Sequence, residues 1–306
     1  MLNRSEQEIM KKWNIEQLSP LVSICTITYN HEKFIEESIN SFLRQETNFP
    51  FEIVIGEDCS SDNTKAIIQN YMLNYPNIIK LVSSSKNVGM QNNVRRTIQA
   101  CKGKYIALCE GDDYWTDIKK LQIQKDFLDA NKEYVLSFHD VVAFKDKTIL
   151  PHYIGGAKRD LLQNDLKQMV ALNTLTVMFR NVIIDFPVEF SLSKYGDLFL
   201  WTLLSKYGKG KYLKTIEPAM YRLHEGGAHS LVSDKKKYDN LLISYSCIFS
   251  YYDRLDDKEM KMYLRSKIIE MITRRDGFKY VFKYSAKSFA SSIKHQVKNL
   301  FFKRRV

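Results

Sequence analysis

The stretch Gly103-Lys-Tyr-Ile-Ala-Leu-Cys-Glu-Gly-Asp-Asp-Tyr-Trp115 decides how the rest of the chain is read. It opens on an apolar run, Tyr105 to Cys109, the pattern of a strand buried on both faces. It closes on three carboxylates within four residues: Glu110, Asp112 and Asp113. Like charges crowded at a strand end raise one another's pKa unless something positive sits among them. A divalent cation meets that need, and hard carboxylate oxygens suit Mg²⁺ or Mn²⁺. A solvated acidic turn without a ligand is the competing explanation of the same residues.

Upstream of this stretch the pattern alternates between strand and helix. A β-branched run from Leu21 ends at Thr28-Tyr29-Asn30, and a helical stripe of Phe34, Ile35, Ser38, Ile39, Phe42 and Leu43 follows. A strand at Phe51–Gly56 leads to the turn Glu57-Asp-Cys-Ser-Ser-Asp-Asn-Thr64, then a helix at Thr64–Asn74 and a strand at Ile78–Ser83. A helix at about Gln91–Lys102 enters the opening strand. Downstream, Lys119–Ala130 predicts a helix and Tyr134–Phe144 a strand. Short connections between alternating elements imply a mostly parallel sheet covered by helices on both faces. In such α/β sheets ligands bind beyond the carboxyl ends of the strands. The polar clusters Thr28–Asn30, Glu57-Asp58 and Glu110–Asp113 fall at those ends, which favours a nucleotide-type pocket. Farther on, a helix over Asp160–Val170, a strand over Asn173–Arg180 and a helix from Tyr195 to near Gly208 are expected. A return to the sheet over Tyr212–Tyr221 comes next, then a mobile segment over Tyr221–Ser230 and helices from Asp234.

The chain has 306 residues and is 44% hydrophobic, enough for one large core with something appended. Met1 to Trp13, a short polar lead-in with a helix from Ser5, lacks the apolar stretch of a signal peptide. No window holds the ~18 uncharged apolar residues of a spanning helix. Five cysteines, an odd number without metal-type spacing, read as buried free thiols and fit a reducing cytoplasm. The formal charge of +11 is concentrated at one end, for no acidic residue follows Asp276. A local basic excess points to a tail or surface function rather than to a property of the fold.

In order and spacing, Ser23-Ile-Cys-Thr-Ile-Thr-Tyr-Asn30, Glu57-Asp-Cys-Ser-Ser-Asp-Asn-Thr64, Gly103-Lys-Tyr-Ile106, Gly111-Asp-Asp113, Gly196-Asp197 and Tyr221-Arg-Leu-His224 resemble the family-2 glycosyltransferases. The resemblance covers roughly residues 20–230 and is closest to bacterial enzymes that build surface polysaccharides. It implies the GT-A fold and three segments: a lead-in over 1–19, the transferase domain over 20–230 and a basic helical extension over 231–306. It also implies an inverting hexosyl- or hexosaminyltransferase that takes a sugar from a nucleotide sugar, with UDP favoured over GDP or dTDP. The acceptor would be a glycan or a lipid-linked glycan. By that likeness Asp113 holds Mn²⁺ or Mg²⁺, and His224 is a further metal ligand or a phosphate contact. Asp112 bonds the ribose with Glu110 in support, Asp58 accepts from the base, and Thr28 and Tyr29 line the base pocket. Asp197 is the catalytic base, because an acceptor hydroxyl is a poor nucleophile until a positioned carboxylate takes its proton. Without the likeness, Asp197 reads as a helix cap. For Asp62 helix capping is the preferred role, and for Arg95 and Arg96 a solvated helix face is preferred to a contact with the diphosphate.

Two other functions compete. A sugar-nucleotide nucleotidyltransferase would want a glycine-rich phosphate loop after the first strand, where Tyr29-Asn30-His31-Glu32 has none. A non-catalytic basic module would bind nucleic acid or anionic surfaces; with the resemblance, no nucleic-acid partner is expected. In the tail, Phe282, Ala286, Phe289, Ile293, Val297 and Leu300 form one helical stripe flanked by Lys279, Lys283, Lys287, Lys294 and Lys298. Such a stripe either packs on the domain or lies in an anionic bilayer interface, a peripheral placement on the inner face of the plasma membrane.

Overall fold

The computed structural model of the protein describes residues 4–13, 19–152, 155–227 and 232–278. These residues belong to two compact units, one within Met1–Ser191 and Gly196–Leu231, the other within Leu192–Tyr195 and Val232–Val306.

The first unit begins with α1 (Glu6–Met10), capped by Ser5, whose Ile9 is fully buried in the core. The alternation follows as β1 (Val22–Thr28), α2 (Ile35–Leu43), β2 (Phe51–Glu57), α3 (Thr64–Asn74), β3 (Ile79–Ser83), α4 (Met90–Ala100) and β4 (Tyr105–Leu108). Next come α5 (Lys120–Ala130), β5 (Tyr134–Phe138), β6 (Val141–Lys145), β7 (Thr148–Leu150), α6 (Gln163–Lys167), β8 (Met178–Arg180), α7 (Gly196–Leu204), β9 (Lys209–Tyr212) and β10 (Ala219–Arg222). The main sheet has the order β3-β2-β1-β4-β8-β5-β9. Neighbours are parallel except at β8, which runs antiparallel to both β4 and β5. The mostly parallel α/β sheet expected from the alternation is therefore present. Apolar residues along β1, β2 and β4 (Ile24, Ile53, Ile55, Tyr105 and Ala107) are completely buried, as strands covered on both faces require.

The order reverses at β1, whose chain neighbour β2 lies on one side and β4 on the other. That reversal marks the carboxyl ends of β1 and β4 as the usual place for a ligand in an open α/β sheet. A small second sheet, β10-β6-β7, brings the end of β10 to the same region, because Tyr114 just past β4 bridges Met220 of β10.

Four expectations need correction. The single strand over Tyr134–Phe144 is two strands in different sheets, broken at His139-Asp140. The return over Tyr212–Tyr221 splits the same way, between β9 and β10. The helix over Asp160–Val170 shrinks to α6. Asp160 is held extended where its carboxylate accepts from Tyr212 N (3.1 Å), and Leu161 bridges Gly210. The strand over Asn173–Arg180 starts with a tight turn, Thr174–Thr176, and only Met178–Arg180 joins the sheet. Of the segment expected to be mobile, Tyr221 and Arg222 complete β10.

The second unit is a helical hairpin, α8 (Asp234–Arg254) and α9 (Lys258–Asp276). Ile248, Tyr252, Met260, Leu264 and Met271 are buried in it, and Asp257 caps α9 by accepting from Met260 N at 3.0 Å. An ion pair of 2.7 Å between Asp239 and Arg275 joins the start of α8 to the end of α9. The amphipathic stripe expected between Phe282 and Leu300 lies outside the described residues. Among those residues no helix is long and apolar enough to cross a membrane. Cys25, Cys59, Cys101, Cys109 and Cys247 are free thiols.

Candidate active site

The loop after β1 is stapled to the loop after β2. Asn30 takes a left-handed conformation (φ 55°), which its short polar side chain tolerates, and accepts from Ser61 N at 2.8 Å. His31 N donates to Thr64 Oγ1 (2.8 Å) and Glu32 N to Asp62 Oδ2 (3.0 Å). Asp62 also accepts from Thr64 N at 3.0 Å and so braces the turn into α3, but the residue at the helix cap is Asn63 and not Asp62 as expected. Held this way, the His31 ring faces the loop after β4, with Nε2 3.8 Å from Asp112 Oδ2.

Just past β10, His224 reaches the same carboxylate, with Nε2 2.9 Å from Asp112 Oδ2. Its Nδ1 accepts from Gly226 N at 3.3 Å, so Nε2 carries the proton shared with Asp112. One ligating atom each from His31, Asp112 and His224 falls within 4.8 Å of the other two. Burial alone would raise the Asp112 carboxyl, but the bond from His224 and the two imidazoles bring it below the ordinary range. Burial pushes His31 down, and Asp112 only partly opposes that shift. Two imidazoles beside a carboxylate form a donor set that a cation can enter by displacing the shared proton. Imidazole nitrogens favour Mn²⁺ over Mg²⁺, which prefers an all-oxygen shell.

Asp113, expected to hold the metal, points elsewhere. It is 2% exposed, Oδ1 accepts from Arg222 N at 2.7 Å, and its carbonyl accepts from Ser38 Oγ at 2.6 Å. Burial, then repulsion from Asp112 and Glu110, raises its carboxyl well above the ordinary range. The structure thus brings Asp112, not Asp113, to His224. Glu110 lies beneath, with Oε1 accepting from Thr174 Oγ1 at 2.6 Å and Oε2 unpartnered among the described residues. Burial raises it to about 7, and the charges of Asp112 and Asp197 push the same way.

Asp197 stands in the first turn of α7, partly exposed, and burial raises it to about 6 against the amides of Leu198 and Asp197 itself. Because Glu110 feels both Asp112 and Asp197, the three carboxyls share one electrostatic neighbourhood.

The residues expected at a base pocket divide. Tyr29 is 46% exposed. Thr28 is buried under Gly111, where an added Cβ would come within 2.9 Å of its side chain. Asp58 is buried and accepts from Val88 N (2.8 Å) and Gly89 N (3.0 Å), fixing the loop that enters α4. Gly89 has φ 84°, a conformation that favours glycine. Arg96 is not a merely solvated residue: Nη2 donates to Glu57 O at 2.7 Å and lies 3.5 Å from Asp58 Oδ1. Arg95 has a buried Nε without a partner among the described residues.

His31 and Arg222 were not singled out by the sequence. A histidine directly after the polar end of β1 was one available signal. The spacing of Arg222 and His224, two residues apart on an extended segment and so on one side of it, was another.

Residues 23–186 match the family described as Glycosyl transferase family 2. An uncharacterized protein of Mycobacterium tuberculosis is 32% identical over 228 residues, 71% of this chain, which spans 63% of that relative's length. The putative teichuronic acid biosynthesis glycosyltransferase TuaG of Bacillus subtilis is 30% identical over 209 residues, 67% of this chain and 79% of that protein. Among solved structures, S. aureus TarS 1-349 in complex with UDP-GlcNAc superposes with a TM-score of 0.59 at 21% identity, over 84% of this chain and 74% of that one.

Proposed function

Since the chain belongs to glycosyl transferase family 2, on a GT-A fold, we propose that it transfers a hexosyl or hexosaminyl group from a nucleotide sugar, with inversion, to a glycan or lipid-linked acceptor of a surface polysaccharide. A UDP-sugar is the proposed donor, which the UDP-GlcNAc bound by the structurally similar TarS supports. The observation that carries the proposal is the pairing, at one sheet edge, of the His31–Asp112–His224 cluster with the raised carboxyl of Asp197.

His31, Asp112 and His224 would hold a divalent ion, Mn²⁺ by the chemistry of the donor set. When bound, such an ion screens the negative charge that develops on a departing nucleoside diphosphate. Asp197 accepts the proton of the acceptor hydroxyl as its oxygen attacks the anomeric carbon opposite the leaving diphosphate. A carboxylate raised to about 6 is a stronger base than an ordinary one and is still ionised at neutral pH. Asp58 keeps lone pairs beyond those facing Val88 and Gly89, so it remains the proposed acceptor for the base N–H.

Adjacent substitutions test the metal assignment. Asp112→Asn should abolish Mn²⁺-dependent nucleotide binding and turnover, as EDTA should in the unaltered protein. Asp113→Asn keeps the partner shape at Arg222 N and should retain Mn²⁺ binding. Full turnover in EDTA would remove the metal from the proposal, and loss of Mn²⁺ binding through Asp113 alone would return the ligand role to that residue.

A further inference from the structure

We infer that Arg222 is a positioning residue that locks Asp112 and His224 into register, an inference that rests on reading His31, Asp112 and His224 as a metal site. The Arg222 side chain is only 13% exposed although it carries a permanent charge. Its guanidinium carbon lies 4.6 Å from the ring centre of Phe144, 4.9 Å from that of Phe34 and 5.7 Å from that of Tyr114. Edge-on, Nε donates to the Asp112 carbonyl at 2.9 Å and Nη2 donates to the Glu37 carboxylate of α2. The main-chain N of the same residue donates to Asp113 Oδ1 at 2.7 Å.

One side chain thereby fixes the main chain of Asp112 from β10, while its amide pins the neighbouring Asp113. His224 follows two residues later, and its ring sits 4.6 Å from Phe34, a ring that Arg222 also covers. Register between the loop after β4 and the end of β10 decides whether Asp112 Oδ2 and His224 Nε2 meet. Arg222 bonds across that junction twice, through Nε and its amide, next to the Tyr114–Met220 bridge, and ties it to α2 through Glu37. Because the guanidinium already serves Asp112 O and Glu37, it is placed to orient the site rather than to grip a diphosphate. A planar guanidinium can stack on rings and bond in its plane at once, and an ammonium cannot.

The experiment uses the full chain and measures Mn²⁺ affinity, metal-free UDP affinity and melting temperature for the unaltered protein, Arg222→Lys, Arg222→Met and Glu37→Gln. Groups that orient a metal ligand typically contribute 10–100-fold in affinity, so Mn²⁺ binding should weaken by on the order of 10–100-fold in both Arg222 variants. Retention of charge in Arg222→Lys should not rescue it. Glu37→Gln, which loosens one arm of the fork and leaves the rest, should lose less in the same direction. Metal-free UDP affinity should be unchanged, whereas a phosphate-gripping arginine would lower it. Unaltered Mn²⁺ affinity in Arg222→Lys overturns the inference. If both Arg222 variants fail to fold, unaltered affinity in Glu37→Gln overturns it instead. Absence of Mn²⁺ binding in the unaltered protein overturns the metal assignment itself, which is distinguishable because no variant is then involved.

Discussion

Asp197 shows how one side chain can be assigned by what it costs. Its carboxyl is raised from 3.8 to about 6 chiefly by burial, so the folded chain keeps a proton that the unfolded chain has already lost. Stability therefore falls as pH rises through that window, and at neutral pH the ionised group is a standing penalty. A helix-capping carboxylate would act in the opposite sense, since its removal costs about 1 kcal/mol. Asp197→Asn is expected to hold or raise the melting temperature at pH 7.5 while transfer falls by on the order of 10²–10⁴. In the unaltered enzyme, transfer should climb with pH and level off above about 6. A variant that melts lower and still turns over normally would make Asp197 a cap. At this scale the sequence showed that carboxylates crowd the end of β4 but not which one faces the histidines. Asp112 and Asp113 are adjacent and chemically alike, and only the path of β10 separates them.

Elements carry the support beneath the site. Lys120, in the first turn of α5, is fully buried, donates to Gln124 Oε1 at 2.6 Å and lies 4.1 Å from the Trp115 ring centre. Gln124 Nε2 in turn reaches Ser137 O (3.1 Å) and Thr176 O (3.0 Å), and Trp115 Nε1 reaches Leu175 O at 2.7 Å. This network joins α5 and β5 to the turn that presents Thr174 to Glu110. Burial lowers Lys120 from 10.5 to about 7. The unfolded chain binds more protons across that interval, so stability should rise with pH from about 7 upward. Lys120→Met should flatten the dependence, by up to about 1.4 kcal/mol per pH unit in denaturation measured between pH 7 and 9. Identical slopes in both proteins would mean that Lys120 does not titrate in that range. The helices and strands through α5 were legible because each buries a stripe or both faces with its own periodicity. The break at His139-Asp140 was not, because β5 and β6 each keep strand-like residues while pairing in different sheets. Periodicity reports burial and does not report which sheet supplies it.

At the scale of the whole molecule, charge and family membership separate the competing functions. Eight of the Lys and Arg residues follow Asp276 with no acid among them, so most of the +11 formal charge belongs to that stretch and not to the sheet domain. A nucleic-acid module would carry its basic excess on the folded domain itself. Family and sheet architecture were legible because six motifs occur in a fixed order, most of them at strand ends. The donor sugar was not, because it is set by side chains that loops bring together from distant positions. The most direct measurement is the melting temperature of the purified chain with UDP-, GDP- and dTDP-sugars, each with Mn²⁺ and with EDTA, since a ligand bound to the folded state raises it. The account predicts a rise with at least one nucleotide sugar, a UDP-sugar first, that needs Mn²⁺, vanishes in Asp112→Asn and survives in Asp197→Asn. No rise with any nucleotide sugar, or a rise that EDTA and Asp112→Asn leave untouched, would contradict it.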